Sequence, residues 1–377
     1  MTKSKVFWTD FRTKAFGEGL TAKLQKLCKK AGISKIDMKG KFVAIKMHFG
    51  EKGNLSFLRP NYARAVVDMV KEMGGIPFLT DCNTMYPGAR KHAIEHLECA
   101  WENGFTPYTV GCPVIIADGI KGNDSMTVPI KNGEMLKEAY IGRAIMDADI
   151  IISLTHFKGH EQTGFGGCIK NIGMGSGSRQ GKCAQHSSGQ PKIDQKKCVG
   201  CKMCQKQCAN NGLVYDTKKK KMTVDKNACM GCGRCLGACN VDAISFESYS
   251  AGKDLNKKMA EYTMAVVDGR PQFHISLICD VSPNCDCHPE NDAPIIPDVG
   301  MFCSFDAVAI DRACVDMCLK QKTFDNTQLT DRKMKGSLDK HDHFCNANPG
   351  TEWRSCLEHA EKIGIGTQKY ELIKMEN

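Results

Sequence analysis

Asp149-Ile150-Ile151-Ile152-Ser153-Leu154-Thr155 runs directly into His156-Phe157-Lys158-Gly159-His160-Glu161-Gln162-Thr163-Gly164, and then into Phe165-Gly166-Gly167-Cys168-Ile169-Lys170-Asn171-Ile172-Gly173. The first segment is a short, nearly continuous apolar and β-branched run, the pattern of a strand buried on both faces. The second is dense in Gly, His and Lys, a composition that brings backbone and cationic side chains against a ligand. A helix is expected to begin within Gly166 to Asn171. The plainer alternative is a flexible crossover whose histidines are solvated.

Working outward, the same alternation recurs on both sides. Val6 to Thr9 is a strand candidate, and Glu18 to Ala31 carries a helical period that stops at Gly32. Lys41 to His48 reads as a buried strand, Pro60 to Met73 as a helix, Ile76 to Asp81 as a strand and Gly88 to Asn103 as a helix. Strand candidates follow near Tyr108 and at Val114 to Ala117, with a helix near Tyr140 to Met146. Downstream come a helix from Asp254 to Val266 and a strand from Phe273 to Ile278. Asp298 to Asp311 reads as strand, turn and helix start with Asp306 as its cap, and Thr351 to Lys362 as a last helix before a short strand. Strands alternating with helices at this pitch predict an α/β fold, with a mostly parallel sheet covered by helices. Ligands in such sheets sit at the carboxyl ends of strands. His48, Asp81 and His156 occupy those ends.

A different pattern interrupts the alternation. Cys198-x-x-Cys201-x-x-Cys204-x-x-x-Cys208 is repeated as Cys229-x-x-Cys232-x-x-Cys235-x-x-x-Cys239. This is the spacing with which a two-cluster bacterial ferredoxin holds two 4Fe-4S cubanes, the fourth cysteine of each run reaching the other cluster. Cys198, Cys201, Cys204 and Cys239 are therefore expected on one cluster, and Cys229, Cys232, Cys235 and Cys208 on the other. Zinc held by paired CxxC motifs is the competing reading, but two runs of four thiols overshoot a tetrahedral site. Ala209 and Asn240 stand where Pro usually follows the fourth cysteine. Leu213 to Tyr215 and Met222 to Val224 should form a hairpin whose lysine-rich tip is either a solvated turn or a steering patch for an acidic carrier.

The expected organisation is thus residues 1–189 and 249–377 as one α/β domain, with residues 190–248 as an inserted α+β dicluster ferredoxin domain. Met174 to Gln190, rich in Gly and Ser, reads as the linker into the insert. It is not a phosphate loop, because Gly175 to Gly181 is too long for GxxxxGK and Cys183 replaces the Ser or Thr.

Composition narrows the function classes. With 22 cysteines in 377 residues and no apolar signal core after Met1, the expectation is a reducing cytoplasm, that of an anaerobe, and metal chemistry rather than disulfides. No run is long and apolar enough to span a membrane. The formal charge of +10 ignores clusters that each carry about −2 when oxidised with their thiolates, so nucleic acid is not implied. A second group, Cys279, Cys285, Cys287 and His288, offers thiols and an imidazole within a short segment, either as a further soft-metal site or as packing.

Lys158-x-His160-x-x-Thr163-Gly164-x-x-Gly167-x-x-Lys170-Asn171-x-x-Gly173, the strand before it, and Ser304-x-Asp306 through Asp311 resemble the domain of unknown function 362 family. The resemblance covers most of the chain outside residues 190–248, where the chain looks like those members that carry an inserted two-cluster ferredoxin. It implies an iron–sulfur protein with an α/β main domain. A looser likeness is to the amino-terminal domain of nickel-pincer lactate racemases.

The leading expectation is an iron–sulfur oxidoreductase that relays single electrons between a ferredoxin- or flavodoxin-type carrier protein and an unknown small-molecule substrate. Lys158 and Lys170 would bind an anionic or carbonyl group, His48, His156 or His160 would move protons, and Asp81 would orient one of them. The alternatives are a non-enzymatic electron-transfer or maturation partner, and a racemase-like enzyme with accessory clusters. No flavin or nicotinamide fingerprint is present.

Overall fold

Alternate residues of the strand Ile150–His156 face opposite ways. Ile151 enters one core with Phe302 and Val308, while Ile150, Ile152 and Leu154 enter another with Ile45, Leu79 and Ile275. That division sets the architecture, a sheet with a helical layer on each face. The chain is described here from a computed structural model covering residues 3–85, 88–186, 191–206, 208, 211–229, 235, 239, 241, 243–246, 252–333, 341–349 and 351–376.

The main sheet contains β1 (Ser4–Thr9), β2 (Phe42–Lys46), β3 (Ile76–Asp81), β4 (Val114–Ile116), β5 (Ile150–His156), β6 (Gln272–Ile278), β7 (Gly300–Ser304) and β8 (Tyr370–Lys374). Their spatial order is β8-β1-β7-β6-β5-β2-β3-β4. Only β7 runs against its neighbours, so the sheet is mostly parallel, as the alternation predicts.

On one face lie α1 (Leu20–Ala31) and α2 (Pro60–Glu72), whose apolar stripes fill the core with Val43 and Ile45. Gly32 ends α1 in the left-handed conformation that lets its N–H reach the carbonyls of Cys28 and Lys29. Next comes α3 (Ala93–Glu102), shorter than the helix expected from Gly88. The region near Tyr108 is a helical turn, Pro107–Val110, rather than a strand, because Thr106 and Thr109 close a capping box around Pro107.

The opposite layer contains α4 (Cys168–Ser176), α5 (Arg179–His186), α6 (Gly252–Val267), α7 (Ala307–Leu319) and α8 (Arg354–Ile363). Tyr140 lies in the strand Glu138–Gly142, paired with Ser125–Pro129, and only Arg143–Asp147 is helical there. The expected linker after Met174 is mostly helix, since α4 continues to Ser176 and α5 buries Gln180, Lys182, Cys183 and Gln185. Its small residues serve close packing: a Cβ at Gly173 would lie 2.1 Å from the Met259 carbonyl of α6.

Residues beyond α5 form a separate small core. Pro191–Ile193 pairs antiparallel with Ile244–Phe246, and Leu213–Asp216 pairs with Lys221–Val224. Between them Cys198, Cys204, Leu213, Met222, Cys235 and Cys239 pack with Cys183 of α5. Among the described residues no helix is long and apolar enough to cross a membrane.

Candidate active site

The carboxyl ends of β2, β3 and β5 open onto one cavity of about 280 Å³. Its lining includes Lys46, His48 and Asp81 from β2, β3 and the turn after β2, and Lys158 and His160 from the loop after β5. Lys170 and Asn171 reach it from α4, Lys182 and His186 from α5, and Cys287 and His288 from the loop after β6.

Cations dominate. Lys46 is fully buried and sits 3.0 Å from Asp81 and 3.0 Å from the amide oxygen of Asn171. Burial lowers the Lys46 pKa, and Asp81 only partly offsets this. Burial works against ionisation of Asp81 as well, but Lys46 and the other nearby cations hold its pKa below the ordinary carboxylate value. Lys46 was hidden in an apolar strand, where a lone charge is itself a signal of a partner.

His48 is half-buried, with two donor groups facing its ring nitrogens. The Gly50 N–H reaches its Nδ1 at 2.9 Å and an Arg90 nitrogen lies 2.9 Å from its Nε2. Burial and the surrounding cations, Arg90 first among them, hold its pKa well below 6.5. His48 therefore positions Arg90, which is also fixed by Glu51 at 3.0 Å. His96, behind Asp81, is likewise held neutral by burial, with a pKa pushed down to about 3.

His156 does not line the cavity. Its Nδ1 lies 2.8 Å from Asp286 and its Nε2 2.7 Å from the Cys279 carbonyl. It ties the end of β5 to the segment that carries Cys285 and Cys287. Lys158 joins the same carboxylate at 3.4 Å and donates to the His156 carbonyl at 3.0 Å.

His160 faces the opposite requirement. Its Nδ1 accepts the backbone N–H groups of Gln162 and Thr163 at 3.1 and 3.2 Å, so the proton sits on Nε2. His160, Cys285 and Cys287 bring one nitrogen and two sulfurs within 4.8 Å of one another, and Glu161, Cys287 and His288 bring one oxygen, one sulfur and one nitrogen equally close. The Lys170 ammonium donates to Cys285 Sγ at 3.4 Å. Burial alone would lower the Lys170 pKa, but the two thiols beside it hold it above its usual value. The hydrogen bond between the thiols, with burial, pushes Cys285 up to about 11, whereas the same bond pulls Cys287 down. His288 is raised by its hydrogen bond to Glu161, 3.2 Å away.

Cys279, grouped with these residues by sequence, lies elsewhere. It borders a separate recess with Tyr62 and Asp298, and burial pushes its thiol up strongly. Sequence proximity misled here because β6 ends at Ile278 and the chain turns between Cys279 and Cys285.

In the small core beyond α5, Cys198, Cys201, Cys204 and Cys239 line one apolar recess with Ile193, Met222 and Ile244. The N–H of Met222 points at Cys198 Sγ at 3.4 Å and that of Ala243 at Cys239 Sγ at 3.3 Å. Gly212 donates to Cys208 Sγ at 3.1 Å, and a Cβ on Gly212 would lie 2.8 Å from the Cα of Cys229. Four soft thiol donors around one apolar recess, with amides aimed at sulfur, fit a thiolate-bound iron–sulfur group. Cys235 packs in the same small core, and Cys232 lies outside the described residues.

The cysteine-rich core meets the cavity through Met85, which lines the cavity and packs against that core. Lys91, six residues after Met85, donates to the Cys239 carbonyl at 3.1 Å.

The family described as Domain of unknown function (DUF362) matches residues 43–316, and the chain belongs to that family. Among solved structures, the lactate racemase apoprotein from Thermoanaerobacterium thermosaccharolyticum shares 12% identity with a TM-score of 0.38, over 73% of this chain and 51% of that one. A protein from Thermotoga maritima shares 12% identity with a TM-score of 0.33, over 91% of this chain and 58% of that one. The chain thus spans little more than half the length of either. No curated protein matches it.

Proposed function

We propose that this DUF362 protein is an iron–sulfur oxidoreductase whose cavity binds an anionic or carbonyl-bearing small molecule. The observation that carries the reading is the position of Met85, whose side chain lies between the cavity and the thiol-lined core of the insert. Two four-iron clusters on the paired cysteine runs would supply single electrons, at potentials tuned by burial and by N–H bonds to sulfur.

The chain's own residues then divide the remaining work. Lys158, Lys170 and Lys182 set a positive potential that draws in negative charge and holds it. His160, fixed as the Nε2–H tautomer by two backbone donors, offers a hydrogen bond to charge developing in the cavity. His288, whose affinity for protons Glu161 raises, is the imidazole suited to deliver one near neutral pH. Asp81 fixes Lys46, and Asp286 fixes Lys158. A cavity of this volume and lining favours a substrate over a purely docking role, and a ferredoxin- or flavodoxin-type carrier is the natural electron donor at the insert.

Anaerobically purified protein should contain about eight iron atoms and eight acid-labile sulfides per chain. Reduction should give electron paramagnetic resonance signals of two interacting clusters. Protein with correctly folded α/β signals but neither iron nor sulfide would overturn the reading.

A further inference from the structure

We infer that Cys285 and Cys287 form a redox-active dithiol and that the cavity's substrate is a small disulfide, an inference that rests on the cavity being where electrons are delivered. The two cysteines flank Asp286 in a tight turn closed by the His288 N–H on the Cys285 carbonyl at 3.2 Å. Cys287 lines the cavity, whereas Cys285 lies behind it, 1% exposed. That is the arrangement of an attacking and a resolving thiol.

A metal ion is the competing occupant, because His160 and the two thiols converge. Two features oppose it. A metal on His160 Nε2 would require the proton on Nδ1, but two backbone N–H groups already point at Nδ1. Lys170 lies 3.4 Å from Cys285 Sγ, placing an ammonium where the metal's charge would be. The same donors, His160 Nε2–H and Lys170, suit a thiolate. The turn is held against them from outside: His156 and Lys158 grip Asp286, and Gly159 donates to the Ser282 carbonyl at 2.9 Å.

Reduction of the disulfide balances with the dithiol as the two-electron reductant. The Cys287 thiolate attacks one sulfur of RSSR and forms a Cys287–S–S–R bond, while the departing RS⁻ takes the proton of His288. Cys285 then attacks the Cys287 sulfur, giving the Cys285–Cys287 disulfide, and its proton leaves on the second RS⁻ as RSH. Two electrons and two protons restore the dithiol, supplied singly by a low-potential carrier protein acting through the insert.

The test uses whole protein, purified anaerobically and treated with cystine or 2-hydroxyethyl disulfide before alkylation and peptide mass spectrometry. Wild type should release two thiols and lose two hydrogens across the Cys285–Cys287 peptide. Cys285→Ser should retain a mixed disulfide on Cys287, and Cys287→Ser should trap at least tenfold less on Cys285. No mixed disulfide in either variant, or one equivalent of a metal other than iron that both variants lose, would overturn the inference. Missing iron with intact thiol chemistry would instead refute only the cluster-based reading, so the two failures are distinct.

Discussion

The ammonium of Lys170 donates to the sulfur of Cys285, 3.4 Å away, joining the helix after the main strand to the thiol turn after β6. The ammonium favours the thiolate form of both cysteines, against the burial that opposes it. Replacing Lys170 with Met should slow iodoacetamide alkylation of Cys287 at neutral pH by roughly tenfold, the effect of about one pKa unit on a thiolate. Lys170→Arg should keep most of the rate, since it keeps the charge. Equal rates in wild type and Lys170→Met would remove Lys170 from the site.

Lys46 and Asp81 form a buried pair 3.0 Å apart. Lys46→Met leaves a carboxylate in the interior with its nearest cation gone, a change that costs about 3–5 kcal/mol. The double variant Lys46→Met/Asp81→Leu should recover part of that loss in urea titrations. A single variant as stable as wild type would show that Lys182 and Arg90 suffice to hold Asp81.

Asp311 accepts the N–H groups of Cys168 and Ile169 at 2.6 and 2.9 Å, capping α4, yet burial pushes its pKa up to about 7. Its folded pKa lies above the unfolded one. Its contribution to stability is therefore full below about pH 4 and is lost as pH rises through 7, by on the order of 4 kcal/mol. Asp311→Asn should lack that slope, so the stability difference between wild type and variant should shrink from pH 4 to 7. Parallel stability curves over that range would contradict the assignment.

Gly159 lies against the backbone before the thiol turn, where a Cβ would fall 2.1 Å from the Pro283 carbonyl. Gly159→Ala must move one of two packed loops and should destabilise the fold by at least ~1 kcal/mol. Because the displaced turn carries Cys285 and Cys287, the yield of their disulfide after cystine treatment should fall together with the melting temperature. A lower melting temperature with undiminished disulfide would separate packing from chemistry.

The sequence by itself determined the parallel α/β sheet, the strand ends at which the cavity opens and the thiol spacing of the insert. These follow from periodicity and ligand spacing, which are local properties of the chain. Lys158, His160 and Lys170 were legible for the same reason, since one strand-loop-helix unit delivers them. Only the tertiary structure separated Cys279 from Cys285 and Cys287, turned His156 toward Asp286 and away from the cavity, and brought in Lys46, Arg90, Glu161 and Lys182. It also placed His288 beside Glu161, 3.2 Å away. Which side chains meet, and which nitrogen of a histidine faces a donor, depends on how separate βα units are docked against one another. That docking is set by packing across the sheet, and no spacing along the chain encodes it.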